Sequence, residues 1–184
     1  MLFLNKCENS IKYFGNFKDK NLIYLIMELC DCSLAQKLNE KKLSVKEIKD
    51  ILEQLNNVFK LMYNNGIIHR DIKPENILIK KLDNNKYLYK LTNYGLSKQL
   101  LESYNASNMA GTIDYITPER KDNLNVDKSK EDLWSIGMLI YKLYFGNTPN
   151  NNIIQKTGNN YLDDLIKKLL QMNIMKILKI YQIY

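Results

Sequence analysis

The order of apolar and polar residues predicts short strands near the start and in the middle of the chain. Leu22–Leu29 is an apolar run rich in branched and aromatic residues, which is typical of a buried strand. Ile11–Phe17 fits as its antiparallel partner, with Lys18–Asn21 as the turn between them. Two further strands and a polar turn between them are predicted downstream, at Ile77–Lys80, Tyr87–Leu91 and Asp83–Asn85.

A helical repeat of apolar residues is clearest at Ser44–Asn65. Ser44 and Glu47 have the spacing of a capping box, in which each side chain caps the backbone of the other residue. Gly66 follows as a stop signal, because glycine readily adopts the left-handed conformation that ends many helices. The sequence therefore predicts a long amphipathic helix, whose apolar face consists of Ile48, Ile51, Leu52, Leu55, Phe59 and Met62.

Two later segments also repeat apolar residues at helical spacing. Lys130–Phe145 is followed by Gly146, and Tyr161–Met172 is the last predicted helix. In the first of these helices, the residues predicted to face inward are Leu133, Ile136, Leu139, Ile140 and Leu143. Strands and helices together predict one α+β domain, which agrees with a length of 184 residues.

Charge and composition limit the kinds of partner that the chain is expected to have. The net charge of +7 comes almost entirely from lysine, because Arg70 and Arg120 are the only arginines. Nucleic-acid sites usually combine clustered arginine with aromatic residues, whereas these lysines are scattered along the chain. A solvated basic surface is therefore favoured, and no nucleic-acid partner is expected.

Cysteine and histidine are too few for a structural metal site. The three cysteines suit neither a disulfide framework nor a four-ligand zinc site, and His69 is the only histidine. Met1–Leu4 is too short for a signal peptide, and the apolar end at Ile174–Tyr184 is too short to cross a bilayer. The expectation is a cytoplasmic protein that has no membrane partner.

The motif with the most chemical content runs from His69 to Leu78 and reads H-R-D-I-K-P-E-N-I-L. It is followed by T-N-Y-G-L-S, which holds Asn93, by G-T-I-D-Y-I-T-P-E from Gly111, and by D-L-W-S-I-G from Asp132. In this order the motifs resemble the C-terminal lobe of a serine/threonine protein kinase, preceded by the last two strands of the N-terminal lobe. A single H-R-D would be weak, but four ordered motifs make chance patterning on an unrelated helical domain a remote alternative.

The resemblance covers the chain from Ile11 to about Met172. It implies an α+β protein-kinase-like fold with a mainly α-helical C-lobe and a two-stranded remnant of the N-lobe sheet. The expected boundaries are 1–28 for the N-lobe remnant and 29–173 for the C-lobe. Residues 174–184 match nothing in the family and are expected to form a tail.

The resemblance also implies roles on the side of the protein substrate. Asp71 would orient and deprotonate the attacking hydroxyl, Lys73 would neutralise the transferred phosphate, and Asn76 would bind a Mg²⁺ ion. The family's arginine at Arg70 usually pairs with a phosphorylated activation-loop residue. The position that is usually phosphorylated is Asn108 here, so the adjacent Ser107 is the candidate. Thr112 fits the loop that selects serine or threonine.

ATP, with Mg²⁺, is the cofactor that the resemblance implies. Met27 matches the gatekeeper, and Glu28 and Cys30 match the hinge residues whose backbone binds adenine. Leu78 matches the floor of the nucleotide pocket. Ordinary core packing explains each of these four residues about equally well.

One departure lies at the metal. Asn93 stands where the family has an aspartate, and a neutral amide is a poorer ligand for a hard cation than a carboxylate. A loss of several kcal/mol of metal stabilisation corresponds to roughly a thousandfold in rate. Asn93 is therefore expected to be at most a weak metal ligand.

Two further departures lie away from the metal. The sequence has no G-x-G-x-x-G, and nothing in it matches the ATP-anchoring lysine or that lysine's glutamate partner. Glu119 usually pairs with a later arginine, but no arginine follows Arg120.

Three readings of the function remain open. The first is a serine/threonine kinase that acts on protein hydroxyls with impaired catalysis. The second is a pseudokinase-like module that docks a protein partner through its helical lobe. The third is a fragment of a longer kinase gene product with no role of its own.

Overall fold

The computed structural model describes residues 2–83, 86–99, 111–121, 130–149 and 153–170. The strands of this part of the chain are β1 (Tyr13–Asp19), β2 (Leu22–Met27), β3 (Cys32–Ser33), β4 (Ile67–Ile68), β5 (Ile77–Lys81), β6 (Tyr87–Leu91) and β7 (Lys98–Gln99). The helices are α1 (Leu34–Glu40), α2 (Val45–Asn64), α3 (Pro118–Lys121), α4 (Glu131–Phe145) and α5 (Asn160–Leu170). Short 3-10 helices lie at Leu2–Lys6, Pro74–Asn76, Tyr94–Leu96 and Ile113–Tyr115.

The strands form three small antiparallel sheets within the described residues. β1 and β2 make a hairpin in which Asp19 faces Leu22, so the turn is only two residues long. β5 lies between β3 and β6 in a second sheet, and β4 pairs with β7 in a third. The α+β organisation is confirmed, because α2, α4 and α5 share one hydrophobic core with β5 and β6.

The hairpin corrects one sequence prediction. The apolar run at β2 predicted a buried strand, but every residue of β2 is exposed, from 41% at Tyr24 to 66% at Ile23. Among the described residues β2 pairs with β1 alone, and no helix covers either face of the hairpin. The composition of the run identified the strand correctly, whereas its burial depends on neighbouring layers that the run itself does not encode.

α2 begins and ends where the sequence predicts. The Ser44 side chain accepts from the Glu47 backbone N–H at 3.3 Å, and the Glu47 carboxylate accepts from the Ser44 N–H at 2.9 Å. Gly66 follows with φ of +64°, a conformation that glycine adopts at low cost. The buried face of the helix comprises Ile48, Ile51, Leu55, Val58 and Met62.

α1 was not predicted, although its signal is present in the sequence. The Ser33 side chain accepts from the Gln36 backbone N–H, and the Gln36 side chain accepts from the Ser33 N–H at 2.7 Å. This second capping box starts a helix of seven residues. Helices were predicted from repeated apolar residues, and seven residues are too few for such a repeat to be recognised.

α4 and α5 pack closely against each other in the core. The four positions of α4 from Ile136 onward that were predicted to face inward are buried, but Leu133 is 43% exposed, so that part of the prediction is wrong. Leu162, Ile166 and Leu170 form the buried face of α5. The predicted end of α5 and the tail at 171–184 lie outside the described residues.

At Gly137 the helices α4 and α5 leave almost no room for a side chain. A Cβ atom built at this glycine would lie 2.7 Å from Leu170 Cδ2 and 3.2 Å from Leu169 Cβ. The first atom belongs to a flexible side chain, but the second is fixed to the backbone. Gly137 therefore sets the distance between the two helices.

We expect Gly137→Val to lower the free energy of unfolding by about 2–3 kcal/mol, because overpacking and a β-branched residue both oppose the helix contact. Gly137→Ala should cost less, since alanine favours the helix by about 1 kcal/mol relative to glycine. Urea denaturation of both variants measures this order. A valine variant as stable as the wild type would contradict the packing.

The segment before β1 is anchored to the helical part of the protein. Leu4, Asn9, Ser10 and Ile11 are buried. The Leu91 N–H donates to the Asn9 carbonyl at 2.8 Å, and the Ile11 N–H donates to the Leu91 carbonyl at 2.9 Å. These bonds extend the sheet of β6 and hold the base of the hairpin beside the loop that follows β6. The boundary predicted between residues 28 and 29 stays a prediction.

In the described ranges, with their gaps, no helix is both long enough and apolar enough to span a bilayer.

Candidate active site

The loop between β4 and β5 carries the H-R-D-I-K-P-E-N motif and is held in place by a side chain of α4. The Asp132 carboxylate accepts from the His69 backbone N–H at 2.7 Å and from the Arg70 N–H at 2.9 Å. Arg70 has φ of +72°, which is uncommon for a residue with a side chain. Two hydrogen bonds to one carboxylate therefore hold the loop in a backbone conformation that it would rarely adopt alone.

His69 is a structural member of this loop. Its side chain is fully buried, Nε2 lies 2.9 Å from the Thr92 carbonyl, and Nδ1 accepts from the Asp71 N–H at 3.3 Å. Burial lowers the pKa of His69 to about 4, so the ring is neutral at physiological pH. The neutral ring donates from Nε2 and accepts at Nδ1, which ties this loop to the segment after β6.

Asp71 lies at the centre of a hydrogen-bonded cluster. Its Oδ1 accepts from the Thr112 hydroxyl at 2.8 Å and from the Thr112 N–H at 3.2 Å. Its Oδ2 accepts from Asn76 Nδ2 at 2.7 Å and lies 3.2 Å from Lys73 Nζ. Lys73 Nζ also donates to Thr112 Oγ1 at 2.5 Å. The structure thus brings together three residues predicted for catalysis and one predicted for the activation loop.

The cluster keeps Asp71 ionised. Burial raises the pKa of the carboxyl, but hydrogen bonds from Thr112, Asn76 and Lys73 outweigh burial and hold the pKa below its ordinary value. A carboxylate with a low pKa is a weak general base near neutral pH and a good hydrogen-bond acceptor. The geometry therefore suits orienting a donor hydroxyl more than removing its proton early.

Asn93 contacts the same cluster through Asn76. Its backbone is left-handed, with φ of +64° and ψ of +56°, which asparagine tolerates better than most residues. Its side-chain Nδ2 donates to Asn76 Oδ1 at 3.1 Å. The oxygen of Asn76, which the sequence predicted to bind a metal, is thus already an acceptor for a neighbouring amide.

Tyr94 anchors the segment that follows Asn93. Its hydroxyl donates to the Leu91 carbonyl at 3.2 Å and lies 2.7 Å from Ser10 Oγ, which is fully buried. The ring meets His69 edge to face at 5.2 Å. A phenylalanine could make the ring contact but neither hydrogen bond, so the hydroxyl adds a link between this segment and the chain before β1.

The residues predicted for the nucleotide do not share one pocket. Met27 lines a cavity of about 600 Å³ together with Asn93, Tyr94 and Ile11. The Glu28 side chain points to the other side of the hinge, where it contacts Lys80 at 2.8 Å. The sequence predicted a contact between adenine and the Glu28 backbone. The Glu28 N–H donates to the Lys12 carbonyl at 2.8 Å, so only the Glu28 carbonyl remains for that contact.

Cys30 and Leu78 lie farther along the hinge and the sheet below it. Cys30 is partly buried, and burial raises the pKa of its thiol, with the charge of Glu28 adding to this effect. Leu78 lies on β5 opposite Ser33 and is partly buried. Neither residue lines the cavity beside Asn93, so their roles at the nucleotide stay predictions.

The chain is similar to several known proteins. The model of the protein kinase domain family matches residues 1–183. A probable serine/threonine-protein kinase PLK of Dictyostelium discoideum is 33% identical over 144 residues, and an Aurora kinase of Yarrowia lipolytica is 34% identical over 143 residues. Human serine/threonine-protein kinase ULK1 is 32% identical over 151 residues.

The chain belongs to the protein kinase domain family. These matches cover 77–78% of the chain but only 14% of the PLK and ULK1 relatives and 37% of the Aurora relative. The chain therefore spans well under half the length of the kinases to which it is similar.

Protein kinase domains generally use ATP with Mg²⁺, and the described residues fit the metal poorly. The two side chains placed to hold it, Asn76 and Asn93, are both neutral amides, and one donates a hydrogen bond to the other. Mg²⁺ favours carboxylate ligands and gives up its water reluctantly. Elsewhere in the described part of the chain, no group of three His, Cys, Asp or Glu side chains could hold a metal ion.

The roles of some residues in this candidate site were not predicted from the sequence. The sequence predicts no role for Asp132. A carboxylate within an otherwise apolar helix is nevertheless a signal for buried hydrogen bonding. Ser10 carried no signal at all. Ser107 lies outside the described residues, so its proposed contact with Arg70 stays a prediction.

Glu119 agrees with the sequence argument as far as the described residues reach. It is 8% exposed, and its Oε2 has no hydrogen-bond partner among them. The neighbouring Arg120 instead contacts Glu131 at 3.1 Å, with both side chains buried.

Proposed function

We propose that this chain is a protein kinase domain of the serine/threonine class, in which phosphoryl transfer to protein hydroxyls is impaired at the metal. The observation that carries the proposal is the cluster of Asp71, Lys73 and Thr112. Its carboxylate, ammonium and hydroxyl lie within 3.2 Å of one another. ATP would be the phosphoryl donor, and a protein serine or threonine the acceptor.

The cluster supports the acceptor half of the reaction. Asp71 is ionised, and a substrate hydroxyl that replaced the Thr112 hydroxyl on Oδ1 would donate to this carboxylate and be aligned for attack. Lys73 lies beside it and would balance charge on the transferred group. Positioning and charge neutralisation are most of what phosphoryl transfer requires of a protein.

A second candidate is a pseudokinase-like module that binds a protein partner without catalysis. The hydrogen bond from Asn93 to Asn76 favours it, because that bond uses one lone pair of the Asn76 oxygen that the sequence predicts to bind the metal. In this case the fold would be kept for docking, and nucleotide with magnesium would stabilise it little.

Transfer from labelled ATP to a mixed protein substrate separates the two candidates. The proposal expects weak transfer by the wild type, and Asp71→Ala should lower it by at least about a hundredfold, because that variant removes the group that aligns the hydroxyl. Circular dichroism checks that the variant is folded. Wild-type transfer no higher than that of Asp71→Ala would reject the kinase and favour the binding module.

A further inference from the structure

A second pocket lies beside the hinge, and Asn5 is the one lining residue that it shares with the cavity next to Asn93. Its volume is about 400 Å³. We call it the hinge-back pocket and define it by its lining residues, which are Asn5, Lys6, Glu8, Lys12, Glu28, Lys80, Leu82, Leu88 and Lys90. Nothing in the catalytic cluster uses this pocket.

The most buried lysine of the hinge-back pocket is Lys90. Its side chain is 1% exposed, and its Nζ donates to the Glu8 carbonyl at 2.6 Å and lies 3.0 Å from Glu28 Oε2. An ammonium has three N–H donors, so the described residues leave one of them unused. A buried charge of this kind is costly unless all of its donors are satisfied.

The net charge of the hinge-back pocket is positive, because Lys80 and Lys90 share one carboxylate, that of Glu28. Glu28 contacts both Lys80 and Lys90, and hydrogen bonds from these lysines outweigh burial and keep its pKa below the ordinary value. Lys6 and Lys12 add two further cations, which form no ion pair within the described residues. Four lysines against two glutamates give the lining a net charge of +2.

This charge and volume fit a particular class of ligand. A phosphoryl group on a serine or threonine carries about −1.5 to −2 at neutral pH and has three strong acceptor oxygens. It would match the net charge of the lining and could accept from the unused N–H of Lys90. A single carboxylate would leave about half of that charge unmatched.

We propose that the hinge-back pocket binds a phosphorylated serine or threonine on an acidic segment of a partner protein. Lys6 and Lys12 attract the group at the rim, and Lys90 binds it at the base. The pocket is thus a docking site separate from the catalytic cluster. The proposal does not depend on whether the chain transfers phosphate.

Fluorescence anisotropy with a labelled acidic decapeptide that carries one phosphoserine tests the proposal, with the same peptide bearing serine as the reference. The phosphopeptide should bind at least tenfold more tightly. The double variant Lys6→Gln/Lys12→Gln should weaken its binding by about tenfold or more, because each lysine supplies a charge-assisted contact. Glu8→Gln should strengthen binding, since it removes a repelling carboxylate at the rim.

The matched control is Lys46→Gln/Lys60→Gln, which changes net charge equally at two exposed positions of α2 away from the pocket. It should leave the affinity unchanged. Equal weakening by both lysine pairs would show general attraction to a basic protein and overturn the proposal. Equal binding of the two peptides would overturn it as well. Inorganic phosphate should compete only weakly, and competition as strong as that of the phosphopeptide would reject a peptide ligand.

Discussion

Asn93→Asp is expected to raise phosphoryl transfer by about a thousandfold, because several kcal/mol of metal stabilisation return with the carboxylate. The substitution has two separate effects on metal binding. It adds a charged oxygen for Mg²⁺, and it removes the Nδ2 group that donates to Asn76 Oδ1. Both lone pairs of Asn76 Oδ1 would then be available to a metal ion. The left-handed backbone at this position suits aspartate nearly as well as asparagine, so little strain is expected.

Binding and turnover should change together in this experiment. The variant should gain a Tm increase with ATP that requires Mg²⁺ and disappears with EDTA, whereas the wild type should respond weakly. Asn39→Asp is the matched control, because it adds the same charge at an exposed position of α1. If neither transfer nor the magnesium response differs between the wild type and Asn93→Asp, weak binding of Mg²⁺ at position 93 is not what limits phosphoryl transfer by this domain.

The sequence predicted the elements whose signals are local. The capping box of Ser44 and Glu47 and the glycine after it placed α2 within one residue at each end. Burial is not a local property, and the prediction failed there. The run at β2 has the composition of a buried strand, and Leu133 of α4 has the spacing of a buried helix face. Both are exposed, because burial depends on which other segment covers them.

The candidate site divides in the same way. Motif spacing brought Asp71, Lys73 and Asn76 into the prediction, and the structure places them in one cluster. Spacing could not show that Asn93 donates to Asn76 across 17 positions, nor that the Glu28 side chain turns towards Lys80 and Lys90. Both contacts depend on how the hinge and the loop after β6 approach the central loop. They decide what the site can bind.

Asp132→Ala is expected to destabilise the protein by about 3 kcal/mol or more. The carboxylate accepts from the backbone N–H groups of His69 and Arg70, and alanine would leave both donors without an acceptor in a buried loop. Each unsatisfied buried donor costs about 1–3 kcal/mol. Urea denaturation measures the loss. Lys130→Ala, one residue before α4, is the control, and a loss in that variant as large as in Asp132→Ala would contradict the role assigned to the carboxylate.

The pH dependence of Asp132→Asn separates the charge of this carboxyl from its hydrogen bonds. Burial raises the pKa of Asp132 from 3.8 to about 6, so in this range the folded protein holds the proton more tightly than the unfolded chain. The stability that Asp132 contributes therefore falls as the pH rises through this range, whereas asparagine does not titrate. His69 titrates in both proteins and cancels from the difference. The stability gap between wild type and Asp132→Asn should thus be largest below about pH 4, shrink between pH 4 and about pH 6, and stay constant above that. A gap that widens with pH would instead show that the two N–H groups stabilise the charged carboxylate more than burial opposes it.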